Sequence, residues 1–177
     1  MPSRPLPRSG HPPVPPRTSR APSRSAFDAA VGLLARRSHS RAELRRKLAR
    51  RGYAEEEVAE AVRRLGEMRL QDDAAFAEGH VRRRSNAHGP LALAAELAAR
   101  GVDRHLVDEA LAGFSPEAQL AAAIDLARRL AARDRPAGYQ ELLNTVGSKL
   151  VRRGFAPHLV RSACQAVWHR TDQPAKA

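Results

Sequence analysis

The stretch ELRRKLARRGY, Glu43 to Tyr53, reads as a short basic helix closed by a glycine, and weaker echoes of it recur as LALAAELAARGV (Leu91–Val102) and LNTVGSKLVRRGF (Leu143–Phe155). Aligned on Gly52, Gly101 and Gly154, the copies share leucine at −4 (Leu48, Leu97, Leu150) and an apolar residue at −8 (Leu44, Leu93, Val146). Valine stands at +6 (Val58, Val107, Val160), and Val62, Leu111 and Cys164 follow at +10. The residue before each glycine is arginine: Arg51, Arg100 and Arg153. Apolar positions four apart form inward stripes on two successive helices. The glycine between them can adopt the left-handed conformation that turns the chain at a helix C-terminus.

The glycines lie 49 and 53 residues apart, a repeat of about fifty residues built from three helices. Such units bury little alone, so neighbours stack. The expected fold is all-α: a tandem array of three three-helix repeats (26–69, 70–113 and 114–170) forming an elongated curved rod. A disordered arm (1–25) and tail (171–177) flank it. Nine helices are legible. Phe27, Val31 and Leu34 mark the buried face of the first. Ser40 and Glu43 form a capping box for the second, which ends at Gly52. Asp72 or Asp73 caps the fourth, Gly89-Pro90 opens the fifth, and Ser115-Pro116-Glu117 opens a long seventh.

Composition agrees. Of 75 apolar residues 34 are alanine, with one isoleucine and 11 valines, which favours helix over strand and thin cores over one thick one. The net charge of +12, with 28 arginines against 3 lysines, points to a polyanionic partner such as nucleic acid. Residues 1–25 hold 8 of the 13 prolines, five arginines and no acid, a composition that resists helix and makes at most a basic tether. That segment lacks the apolar core of a secretory signal, and no apolar run approaches the ~20 residues that span a bilayer. A soluble cytoplasmic protein is expected. The single cysteine, Cys164, sits at an apolar repeat position and reads as core.

No constellation for catalysis is present: no H-E-x-x-H, P-loop or G-x-S-x-G, and no clustered Cys/His ligands, so neither a cofactor nor a metal is expected. His80 and His88 read as solvent-facing or locally bonded. As DNA-reading helix-turn-helices, the first two copies place Glu55, Glu56, Glu57 and Glu60, then Asp103, Asp108 and Glu109, where phosphates would come, which is unfavourable. Only the third copy, with His158, Arg161, Gln165 and Arg170, is free of acid there. Positive charge collects on the preceding helices: Arg36, Arg37, Arg45, Arg46, Lys47, Arg50, Arg51, Arg82, Arg83, Arg84, Arg152 and Arg153. These are the candidate anion and partner contacts, although some complement helix dipoles.

The segment SRAELRRKLARRGYAEEEVAEAVRRL (Ser40–Leu65), then DDAAFAEGHVRRR (Asp72–Arg84) and GPLALAAELAARGV (Gly89–Val102), resembles the RecX family of regulatory proteins, modulators of the RecA recombinase. Asp72, Asp73, Phe76, Ala77, Val81 and Arg84 stand at the family's motif spacing, followed by Gly89 and Pro90, whereas Arg69 and Gln71 stand where small or apolar residues are usual. The resemblance implies a monomeric, non-enzymatic protein that binds the recombinase filament on single-stranded DNA and inhibits its ATP hydrolysis and strand exchange. The alternative reading is a helical DNA-binding protein or repressor that uses the third repeat and the basic arm on single- or double-stranded DNA.

Overall fold

The computed structural model describes residues 24–171, with the side chains at 170 and 171 excepted. Most of the expected arm and tail therefore lies outside the described residues. At the two borders Ser25 caps the first helix and Thr171 ends the last.

Three helices form each of the first two modules: α1 (Ala26–Leu34), α2 (Arg41–Ala49) and α3 (Glu55–Glu67), then α4 (Asp73–Arg84), α5 (Pro90–Ala99) and α6 (Arg104–Ala112). In the third, α7 (Pro116–Asp134) packs on α10 (Pro157–Thr171). Its middle helix runs without a break through α8 (Tyr139–Leu142), a π-helical segment (Leu143–Gly147) and α9 (Ser148–Arg152). Taken as one rod, that middle helix brings the described residues to nine helices. The wider π turn offsets the angular drift of residues four apart, so Leu142, Val146 and Leu150 all remain buried.

The caps follow the sequence. Ser40 Oγ accepts from the Glu43 amide while the Ser40 amide donates to Glu43 Oε2. Asp72 rather than Asp73 caps α4, accepting from the amides of Ala74 and Ala75. Each module closes on its own core. Leu44, Leu48, Leu93, Leu97, Val146 and Leu150 are completely buried, and Val58, Val107 and Val160 nearly so. Cys164 is buried in the third core, where burial pushes its thiol pKa up.

The expected inner face of α1 is out of phase. Ala26, Ala29, Ala30 and Leu33 are buried, Phe27 and Leu34 lie at the core's edge, and Val31 is exposed. Small alanines let α1 approach α3 closely. Phe27 instead lies under the Arg64 guanidinium, 4.4 Å from its ring centroid.

The three glycine turns are alike. Gly52, Gly101 and Gly154 take φ of 86°, 77° and 82°. In each, the glycine amide donates to the carbonyl three residues back, and the next amide donates to the leucine carbonyl at −4. Two of these turns also fasten neighbouring modules. At the first joint, Gly101 lies against Ala42, whose Cβ is 2.5 Å from where a Cβ on Gly101 would be. Ser40 Oγ donates to Arg100 O at 2.7 Å, and the Arg41 amide donates to Asp73 Oδ1 at 2.8 Å. At the second joint, Gly154 lies against Ala92, and the Gly89 and Leu91 amides donate to Arg153 O and Gly154 O at 2.8 and 3.2 Å. In both, the negative end of one middle helix meets the positive start of another.

Candidate protein and nucleic-acid interface

The candidate arginines fall into two groups. Four are engaged in the fold. Arg37 pairs with Glu43 Oε2 at 3.4 Å and donates to Ser38 O. Arg46 reaches Arg100 O across the first joint at 3.5 Å. Arg84 donates to Glu96 Oε1 at 2.7 Å, and Arg153 donates to Ala87 O at 3.3 Å. Arg36, Arg45, Arg50, Arg51, Arg82, Arg83 and Arg152 are exposed, and their guanidinium groups make no hydrogen bond or ion pair among the described residues. Lys47 is half-buried.

The run Arg82-Arg83-Arg84 is divided by the helix it sits on, since successive residues point about 100° apart. Arg84 turns inward to Glu96. Arg83 folds back over Gly79, its guanidinium 3.0 Å from where a Cβ would stand. Arg82 lines a cleft of about 630 Å³ between α4, α6 and α7, together with Glu78, Glu109 and Asp125. On the first module, Arg45 and Arg46 border a groove of about 400 Å³ floored by Ala49, Tyr53, Val58 and Ala59. The free cations are thus spread along successive modules, as contacts to an extended partner would be.

The sequence did not reveal the polar networks behind these surfaces. Glu43 is 9% exposed and receives the Ser40 amide, Arg37 and Arg100, the last at 2.8 Å. Burial works to raise its pKa, but those partners outweigh it and hold the carboxyl below its ordinary value. Glu96 behaves likewise: burial opposes ionisation, and the hydrogen bonds from Arg84 and His80 prevail, lowering its pKa. His80 is buried, not solvent-facing, with Nε2 2.7 Å from Glu96 Oε2. The only signal in the sequence for this pair was their sixteen-residue separation on adjacent helices, which no local pattern marks. His88 stands 3.9 Å from the same carboxylate, next to the second joint.

Gln71 is buried and donates to Asp73 Oδ1 at 2.7 Å, so its amide supports the start of α4. Arg69 takes φ 55° after α3, a left-handed turn made without glycine. Phe76, Ala77 and Val81 are core, Gly89 is buried at the second joint, and Pro90 is the first residue of α5. His158, Arg161 and Gln165 lie exposed on α10. The side chain of Arg170 lies outside the described ones. Among the described residues no group of three or more His, Cys, Asp or Glu converges on a point that could hold a metal ion. No helix among them is long and apolar enough to cross a membrane.

Comparison with known proteins matches the geometry. Residues 26–65 match the family described as "RecX, first three-helix domain", and residues 72–111 match "RecX, second three-helix domain". "Regulatory protein RecX" of Xanthomonas campestris pv. campestris (strain B100) is 39% identical over 152 residues, covering 85% of this chain and 93% of the relative. The protein of that description from Stenotrophomonas maltophilia (strain R551-3) is 42% identical over 137 residues, covering 76% and 82%. The crystal structure of RecX from Lactobacillus salivarius superposes with a TM-score of 0.73 at 25% identity, covering 81% of this chain and 95% of that one. With two family domains in tandem and relatives aligned over most of its length, this chain belongs to the RecX family of regulatory proteins.

Proposed function

We propose that this protein is a non-enzymatic regulator that binds the RecA recombinase assembled on single-stranded DNA and inhibits its ATP hydrolysis and strand exchange. It acts as a monomer in the cytoplasm. The observation that carries the reading is the spread of seven unpaired, exposed arginines over modules joined in series, alongside the exposed acids of α3. Basic faces suit DNA phosphates or acidic protein. The acids at Glu55, Glu56 and Glu57 suit basic protein and repel phosphate, so a protein–DNA assembly matches the surface better than DNA alone.

The test is ATP hydrolysis by the cognate recombinase on single-stranded DNA at near-physiological salt, titrated with this protein. Substoichiometric inhibition with weak binding to naked DNA is expected, and reversing charge at Arg82 and Arg83 together should weaken inhibition at unchanged helicity. Arg84 is left intact because it holds Glu96. Unchanged hydrolysis would overturn the reading. A second reading, DNA binding through the third module, is favoured by the exposure of His158, Arg161 and Gln165 on one acid-free helix. It predicts tight duplex binding that weakens steeply with salt.

A further inference from the structure

We infer that the Gly52 turn at the outer end of the first module is a docking pin for the N-terminal turn of an α-helix on the filament protein. The assignment rests on the filament-binding reading above. Two of the three glycine turns hold the start of another helix, and they define what the third would accept. In both, the carbonyl just before the glycine takes a hydrogen bond from the residue twelve positions before the receiving module's own glycine: Arg100 O from Ser40 Oγ, Arg153 O from the Gly89 amide. In both, an alanine of the incoming helix (Ala42 or Ala92) presses against the glycine where no Cβ could fit.

Gly52 has a similar φ and the same internal hydrogen bonds, yet among the described residues nothing lies within 4 Å of where its Cβ would be. Arg51 O, the counterpart of the two engaged carbonyls, accepts no hydrogen bond among the described residues. The turn is thus complete as a pin and carries no load within the module array. Beside it opens the groove of about 400 Å³ floored by Ala49, Tyr53, Val58 and Ala59.

The occupied pins specify the partner's chemistry. It is a helix start with a hydroxyl or open backbone amide at the cap and alanine or glycine in the first turn; the first joint adds a carboxylate there for its arginine, which the second joint lacks. Glu43 supplies that carboxylate to Arg100. A second copy of this chain fits poorly. Its own free middle-helix start, at α8, carries Tyr139, Gln140 and Glu141 in the first turn where the receiving helices place alanine. It also begins sixteen residues before its glycine, against twelve in the two receiving helices.

The experiment is anisotropy of the dye-labelled full-length protein on preassembled filaments of the cognate recombinase, single-stranded DNA and a non-hydrolysable ATP analogue. Gly52→Asn retains a residue that tolerates positive φ but fills the pin. At least tenfold weaker filament binding is expected, with helicity and thermal midpoint unchanged. A Kd within twofold of wild type would overturn the assignment. Ala49→Gln, at an exposed helical position beside the pin, should weaken binding several-fold and serves if Gly52→Asn unfolds; undiminished binding there would also overturn it. Sedimentation of the free protein covers the other occupant: self-association lost in Gly52→Asn would put a second copy on the pin and refute the assignment. Wild-type protein that fails to bind filaments at all would remove the regulator reading, whereas loss confined to these variants tests the pin alone.

Discussion

The two joints make the same connection by different means. At the first, side chains do it: Ser40 Oγ reaches Arg100 O, and Glu43 spans to Arg100 while also closing the capping box. At the second, the backbone does it: the Gly89 and Leu91 amides meet Arg153 O and Gly154 O with no hydroxyl between them. The chain can approach that closely only because Gly89 has no side chain. A Cβ there would stand 2.3 Å from Gly154 O and 2.6 Å from the Phe155 amide nitrogen. A joint made by side chains can lose them one at a time. A joint made by backbone contact fails as a whole when a single methyl is added.

The largest effect should therefore come from Gly89→Ala. Its φ of −81° suits alanine, so the damage would be purely steric and confined to the second joint. Neither side of the clash is a flexible side chain, so we expect a loss of about 3 kcal/mol or more, at or beyond the usual range for overpacking. Separation of the third module from the first two should accompany it. Urea unfolding and limited proteolysis between α6 and α7 would measure both, and a loss under ~1 kcal/mol would show that the joint can open without cost.

Ser40→Ala should do less at the first joint, about 1–2 kcal/mol, because it removes a cap and one inter-module bond while Glu43 still holds Arg100. A double-mutant cycle with Arg100→Ala, which keeps the Arg100 carbonyl that Ser40 bonds and removes only the pair with Glu43, sharpens the contrast. Coupling near zero would mean that the Ser40 bond and the Glu43 pair hold the joint independently.

The repeat arithmetic explains how much of this was legible. Positions −8, −4 and +6 are set by helical periodicity and a small core, and all nine residues there are buried. Ser40, Asp72, Gly89-Pro90 and Ser115 announce helix starts through side-chain chemistry that acts within four residues. Failures came where the deciding contact lies far along the chain. The face of α1 is set by how closely alanines approach α3 and by Arg64, not by its own largest side chains. The left-handed turns at Arg69 and Arg135 lack the glycine that usually marks them. Helical spacing alone shows that Arg82, Arg83 and Arg84 span too wide an arc to form one ideal face, but not that Glu96, twelve residues past Arg84, takes that member inward. The glycines themselves were legible as helix ends. Their second use, as the surface another module sits on, needs Ala42 and Ala92 in place, and those alanines look like any others.

The smallest effect is one of acidity, and it too should separate the joints. His39 and His88 each stand thirteen residues before a turn glycine, just ahead of the helix start that receives the next module. Burial lowers both imidazole pKa values from 6.5. Around His39, the Arg37 and Lys47 charges add to the lowering while the Arg37 carbonyl and Glu43 oppose it. Around His88, Arg84 and Arg153 add to it while Glu96 and the hydrogen bond to the Arg84 backbone oppose it. The fold thus disfavours the charged form of both rings, and below pH 6.5 the unfolded chain takes up protons first. Stability is full above that value and falls with acid until the pH passes below the folded-state pKa values. Glu43 and Glu96 add a second fall. Their pKa values lie below 4.5, so their contribution is present above 4.5 and is lost as pH drops through the lowered values. Thermal midpoints between pH 8 and 3 should show both steps, and His39→Asn and His88→Asn should each flatten the first. His39 is 3% exposed, whereas the His88 side chain is 17% exposed. Charging His39 therefore costs more, and its substitution should flatten that step more. Equal flattening would mean that the two joints are equally wet, and that the side-chain joint is no drier than the backbone one.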